Sequence, residues 1–486
     1  MPAPPVRFRV ASVELFERDV TLRLPFRFGA ATLTSCPQAF VRARIAFANG
    51  VTATGAAAEL MVPKWFDKAP AKTAADNVSD LRTALVAASE AYTGDGTPRP
   101  AFGHFAAHYG ELLEAGVRAG LNPLTACYGP ALVDRAILDA LCRHLGVSFY
   151  AAVRDNLPRI DSALTPDLSG IAIDDFLRSL APRTEVAARH TVGLIDPITS
   201  ADVGRRVGDG LPETLEEVIA TYGNRYFKLK TGGDLEADRS RLSRIAAVLD
   251  ALPHAYHVTL DGNEQYRDVG DVVALWQALA ADPALARFTS SVLSIEQPLA
   301  RDFTFAQSIA PLASARPVLI DEADATLDAF PRARALGYTG VSSKACKGFY
   351  KSLLNAARAA GWNRDTADGC YFLSAEDLTT QAGLAVQQDL ALINLLGIGH
   401  VERNGHHYVN GFAGQGATAR EQRAFLSAHP GLYESSHGAV RLAVRDGTID
   451  LRSLAGPGFA AGAEPDWASL SPLAVADVRV ASASAQ

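Results

Sequence analysis

Short apolar runs and helical stripes divide the chain into three regions. In the first, to about residue 150, AFVRARIAFANGVTATGAAAEL predicts two strands turned at Asn49-Gly50, a dipeptide suited to a tight hairpin. Helices then take over. PALVDRAILDALCRHLG carries Val133, Ile137, Leu141 and Leu145 on one stripe, with Pro130 as its predicted start and Gly146 as its stop. From about 185 to 410, short apolar runs alternate with amphipathic segments such as DLEADRSRLSRIAAVLDAL and KSLLNAARAAG. Strands of this region are predicted to end at Lys230, Asp261, Glu296, Asp321, Lys344, Glu376 and Glu402, 23 to 35 residues apart. Such a βα repeat implies a parallel sheet, and seven or eight units suit a (β/α) barrel of the usual size, about 250 residues, better than an open sheet. The third region is loop-rich, with AVRLAVRDGTIDLRSL predicting a hairpin around Asp446-Gly447. The stretch 155–184 is polar and helix-like and receives no assignment.

Composition narrows the function without naming it. The chain has 486 residues, more than one ordinary core holds, with 48% hydrophobic and 20% charged residues. Its net charge of -7 gives no general attraction to nucleic acid or anionic membrane, so an anionic ligand has to be bound locally. No apolar signal core and no uninterrupted apolar run of membrane-spanning length is found, which leads us to expect a cytoplasmic protein. The five cysteines form no CxxC pair and imply neither a disulfide framework nor a zinc cluster.

The segment RYFKLKTGGD poses the chemical question. On a strand, Lys228 and Lys230 point the same way, and crowding plus burial would push one amine toward the neutral form of a usable base. The simpler reading is a solvated edge strand guarded by lysines. Further along, YHVTLDGNEQY places Asp261 and Asn263 together, SVLSIEQPL ends in Glu296, PVLIDEA ends in Asp321-Glu322, and TGVSSKACKG supplies Lys344. Three carboxylates from successive barrel strands make an oxygen-rich site for a hard cation, Mg²⁺ above others, with Mn²⁺ as a substitute. A single such Asp is more often a helix N-cap. Capping does not explain the whole order, because lysine is disfavoured at helix N-termini.

The motifs KLK, DGN, IEQPL, IDEA and SSKACKG, with LPFRFG and GAAAE near the start and DGTIDLRSL near the end, resemble the enolase superfamily and its muconate-lactonizing (mandelate racemase/muconate lactonizing enzyme-like) subgroup. The resemblance implies a modified TIM barrel over 185–410, an N-terminal α+β capping domain over 1–150, a linker or insertion at 151–184, and a segment 411–486 returning to the cap. Loops near FGAATLT and AAELMVPKWF would cover the barrel mouth. It also implies Asp261, Glu296 and Asp321 as ligands of Mg²⁺, with Glu322 competing for the third place. Lys230 and Lys344 would be the acid/base pair, with Lys347 a weaker competitor for the second role. Lys228 would tune its neighbour and meet the substrate carboxylate, beside Asn263. Proton abstraction alpha to a carboxylate would lead to racemisation or epimerisation, cycloisomerisation or dehydration, with homo-oligomers frequent. A Schiff-base lysine aldolase and a non-catalytic metal-carboxylate binder are the alternatives. No histidine stands at the seventh strand end, and His406 and His407 read as exposed loop residues.

Overall fold

The computed structural model describes residues 5–29, 31–366 and 369–474. Three antiparallel strands open the chain: β1 (Phe8–Phe28), β2 (Ala31–Phe47) and β3 (Thr52–Leu60), with Gly50 at φ 83° in the anticipated β2–β3 turn. Three helices pack with this sheet: α1 (Ala74–Gly94), α2 (Ala101–Arg118) and α3 (Pro123–Leu145). Their approach is close. A Cβ on Gly55 would stand 2.1 Å from the Ala140 nitrogen, so only glycine fits where β3 crosses α3.

α3 starts earlier than its apolar stripe suggested. The Asn122 side chain accepts from the Thr125 amide at 2.9 Å and Pro123 takes the first helical turn, leaving Pro130 inside the helix. Gly146 does end it, at φ 66°.

Eight parallel strands then close a barrel: β4 (Glu185–Val192), β5 (Tyr226–Lys230), β6 (His257–Asp261), β7 (Val292–Glu296), β8 (Val318–Ile320), β9 (Gly340–Ser343), β10 (Phe372–Ala375) and β11 (His400–Arg403). Each pairs with the next, and β11 returns to β4 with Val401 opposite Ala188. Helices such as Leu235–Asp250 and Phe349–Asp365 lie between the strands, as their amphipathic stripes required. The stretch left unassigned holds a short helix, Ile173–Ser179, after a 3-10 turn at Pro166–Leu168.

The late segment differs from the hairpin expected around Asp446-Gly447. β13 (Ala439–Leu442) pairs with β12 (Tyr433–Ser436), whereas β14 (Thr448–Asp450) runs antiparallel to β4. The turn itself forms, with Asp446 at φ 50° and Gly447 at φ 72°, but it sends the chain onto the barrel edge. Burial of Ile449 there explains the choice. Finally β15 (Ser471–Pro472) pairs with Phe16 and Glu17 of β1. Among the described residues no helix is long and apolar enough to cross a membrane.

Candidate active site

The C-terminal strand ends bring together the lysines and carboxylates singled out from the sequence. Lys230, Asp261 and Glu296 are the last residues of β5, β6 and β7, while Asp321, Lys344 and Glu376 directly follow β8, β9 and β10. All are buried. Strand parity puts Lys228 and Lys230 on one face, and both point to the barrel interior, where Lys228 is 1% exposed.

Lys228 Nζ donates to Glu296 Oε1 at 2.9 Å, Glu376 Oε2 at 2.7 Å and Glu402 Oε2 at 2.9 Å, and lies 2.9 Å from Asp261 Oδ2. Burial pushes its pKa down, but those four carboxylates push harder and hold it well above the ordinary lysine value. Lys344 is likewise raised: burial opposes, and Asp321 at 2.6 Å prevails. Crowding and burial were expected to leave one amine of the Lys228–Lys230 pair neutral; at Lys228 the surrounding carboxylates outweigh both. Like charges coexist because acidic groups outnumber them around Lys228. Lys230 donates to Asp261 Oδ2 at 2.5 Å.

The carboxylates divide. Asp261 and Asp321 are lowered despite burial, Asp261 by Lys228 and Lys230, Asp321 by Lys344 and Lys347. Glu296 is raised well above the ordinary range by burial and by the charges of Asp261 and Glu376. Its Oε2 lies 2.7 Å from Lys228 Nζ yet outside hydrogen-bonding geometry, so this oxygen has no hydrogen-bond donor. Glu322 is raised by burial too, and it accepts from Asn263 Nδ2 at 3.2 Å. Lys347 is buried and bonds Ser342 Oγ at 2.6 Å and Asp321.

A latch joins this rim to the cap. Arg301, five residues past Glu296, grips both oxygens of Glu264 at 2.8 Å and donates to the carbonyls of Trp65 at 2.9 Å and Phe66 at 2.8 Å. Lys68 adds Glu264 at 2.6 Å, the Asn263 carbonyl at 2.8 Å and Glu322 at 3.2 Å. Sequence reading missed Trp65, Lys68, Glu264 and Arg301 as partners. Two signals were available: the loop AAELMVPKWF, expected over the mouth, carries Trp65, and Arg301 follows the IEQPL motif. Roles for Glu376 and Glu402 were also missed, although both had been placed at strand ends.

His406 and His407 are buried, not exposed, in the short helix Gly405–Tyr408 beneath the cap. His407 packs edge-on against His190 at 4.9 Å, outside the barrel interior.

The donor chemistry suits a hard divalent ion: the facing atoms are carboxylate oxygens, and Glu296 Oε2, Asn263 Oδ1 and Glu322 Oε2 lack hydrogen-bond partners among the described residues. The carboxylates are presently spread over lysine ammonium groups, and no three acidic, histidine or cysteine side chains among the described residues cluster as a metal-holding group.

Known proteins place the chain. A family model described as Enolase C-terminal domain-like matches residues 210–467, more than half of the sequence. The chain belongs to the enolase superfamily. An enolase from Bradyrhizobium complexed with magnesium and mandelic acid is 16% identical, with TM-score 0.57 over 95% of this chain and 97% of that one. The dipeptide epimerase of Enterococcus faecalis, complexed with Mg and L-Leu-L-Tyr, is 14% identical, with TM-score 0.58 over 93% and 99%. The 2-chloromuconate cycloisomerase of Rhodococcus opacus is 16% identical, with TM-score 0.58 over 95% and 98%. At these identities the likeness is one of fold. No curated protein matches this superfamily member by sequence.

Proposed function

We propose that this chain is a Mg²⁺-dependent isomerase or lyase that removes the proton alpha to a carboxylate. One observation carries the reading. Lys230 and Lys344 line the same cavity from β5 and β9, strands four places apart in a ring of eight, so they face a bound molecule from opposite sides.

Lys230 takes the α proton, and the C–H electron pair moves into the carboxylate to give an enediolate. Lys228, held as an ammonium, offsets the second negative charge. Stabilisation that grows with this charge is the part that speeds the step. Lys344, also an ammonium, returns a proton to the other face, giving racemisation or epimerisation. Departure of a β-leaving group from the enediolate gives dehydration, and the reverse addition within one molecule gives cycloisomerisation. Asp261, Glu296 and Asp321 are the residues that would hold Mg²⁺, which supplies positive charge beside the substrate carboxylate. Asn263 braces this rim through Glu322.

A Schiff-base aldolase would use Lys230 or Lys344 as a free amine; Asp321 works against one at Lys344, and at Lys230 a free amine serves either reaction, so the α-proton exchange below separates them. The test is α-proton exchange in D₂O, followed by NMR, with acid sugars, N-acyl amino acids, dipeptides and muconate-like acids. Exchange that needs Mg²⁺ and stops in chelator is expected. No exchange from any class, with Mg²⁺ or Mn²⁺ supplied, removes the proposal.

A further inference from the structure

Buried charge continues below the strand ends. Barrel interiors are filled in layers, mostly by branched apolar side chains. Here Thr191 of β4 stands opposite Lys228, and Arg189, two residues earlier on the same face, stands opposite Tyr226. An arginine therefore occupies the layer beneath Lys228. It is fully buried and does not line the cavity between Lys230 and Lys344.

The contacts of Arg189 lead up to the site. Its Nη2 donates to Glu376 Oε1 at 2.5 Å and to the Ala375 carbonyl at 2.7 Å. Its Nη1 donates to Ser374 Oγ at 3.3 Å and, because a guanidinium only donates, His400 accepts through Nδ1 at 3.2 Å. Ser374 Oγ also donates to Glu376 Oε1. One oxygen of Glu376 is thus held from below, while the other accepts from Lys228 at 2.7 Å. Arg189 Nε has no hydrogen-bond partner among the described residues. A guanidinium buried in this way costs more than an apolar side chain of similar volume, so filling space does not account for it.

Lys228 has three N–H bonds, and its three acceptors differ. Glu296 is a proposed Mg²⁺ ligand and Glu402 lines the cavity. Among the described residues, Glu376 alone of the three is ion-paired to a cation other than Lys228, and that cation is Arg189. We propose that Arg189 is a positioning residue which, through Glu376, fixes the place from which Lys228 Nζ meets the negative charge of the enediolate. This deepens the reaction proposed above and rests on it. Without Arg189, Glu376 Oε1 keeps only the Ser374 hydroxyl, the carboxylate is free to turn, and Lys228 follows it. A displacement of about 1 Å at a group that meets developing charge costs about 100-fold in rate.

The test is α-proton exchange in D₂O with Mg²⁺ and gluconate, N-acetylalanine or alanylalanine, whichever the natural protein exchanges. Arg189→Met should lower kcat by about 100-fold and leave KM within about twofold, because Arg189 meets no substrate. Arg189→Lys, which restores a cation beneath Glu376, should regain at least about tenfold. Glu376→Gln and the double variant Arg189→Met/Glu376→Gln should share one rate, since an arginine acting through Glu376 then has no carboxylate to hold. That comparison stands even where Arg189→Met alone fails to fold, because the double variant removes both buried charges. An unchanged kcat in Arg189→Met, a KM effect in its place, no recovery in Arg189→Lys, or a further loss in the double variant overturns the proposal. Where the natural protein exchanges none of the three acids, the reaction alone falls, and a crystal structure of either Arg189→Met protein decides the rest. Lys228 Nζ moved by about 1 Å supports the role of Arg189, and Lys228 Nζ in its natural place ends it.

Discussion

The Lys344 ammonium lies 4.3 Å from the centre of the Trp65 ring. A cap residue thus covers a barrel lysine, and the Arg301 bonds to the Trp65 and Phe66 carbonyls hold it there. A desolvated cation–π contact contributes up to about 2 kcal/mol. Trp65→Leu should therefore lower the exchange rate by about tenfold or more with the fold retained by circular dichroism, at a cost in melting temperature because Trp65 is buried in the core. Trp65→Phe, which keeps a ring face, should recover part of the loss. Equal rates in all three proteins would show that the contact has no catalytic weight.

The strand-end carboxylates lead to a prediction about metal. Asp261→Asn, Glu296→Gln and Asp321→Asn should each weaken Mg²⁺ binding by about 100-fold in a calorimetric titration, because each replaces a charged oxygen donor with a neutral one. Circular dichroism should show the fold retained, since each amide keeps the shape of the acid it replaces. Undiminished Mg²⁺ affinity in any of the three removes that residue from the ligand set, and Glu322→Gln then becomes the next variant to titrate.

Opposed lysines predict a stereochemical split. Lys230→Ala should abolish exchange for one enantiomer and Lys344→Ala for the other, each by about 10²–10⁴-fold, the range of a lost proton-transfer group. NMR of both enantiomers in D₂O reads this directly. Loss of the same face in both variants contradicts the placement of the two amines on opposite sides of the substrate.

The barrel was readable because seven of its eight strands end at, or just before, a polar residue after a buried apolar run, and the fold gathers such ends on one face. Asp261 and Glu296 needed nothing more. Protonation of Lys228 was not readable, because its charge depends on Glu376 and Glu402, 148 and 174 residues away. The latch was hidden for the same reason: Lys68 meets Glu322 across 254 residues. His406 and His407 misled through local polarity. Their segment is a single helical turn, too short to show a period, and it is buried by Arg23 and Arg441, which bond the His407 and His406 carbonyls. AVRLAVRDGTIDLRSL misled because a sound turn signal says nothing about which strand lies next to each arm.

Those histidines predict how stability depends on pH. Burial drives His190 down to about 3, with Glu402 opposing, and His400 to about 3, with Arg189 and His257 helping. His406 and His407 fall well below the ordinary value through burial, the charge of His190 and nearby arginines. All four are neutral in the folded chain near neutral pH, while the unfolded chain takes up protons below about 6.5. Their contribution is therefore fully present above that pH and is lost as pH falls toward 3, at up to about 1.4 kcal/mol per pH unit for each histidine. Glu59 acts with the opposite sign, since burial raises it to about 7, so a difference between two proteins is the proper measure. His190→Phe keeps a ring against His407 and removes one titrating group. In urea unfolding between about pH 5.5 and 6.5, its stability should vary with pH less steeply than that of the natural chain, by up to about 1.4 kcal/mol per unit. Identical slopes would mean that His190 is already protonated in the folded state or is neutral in both states.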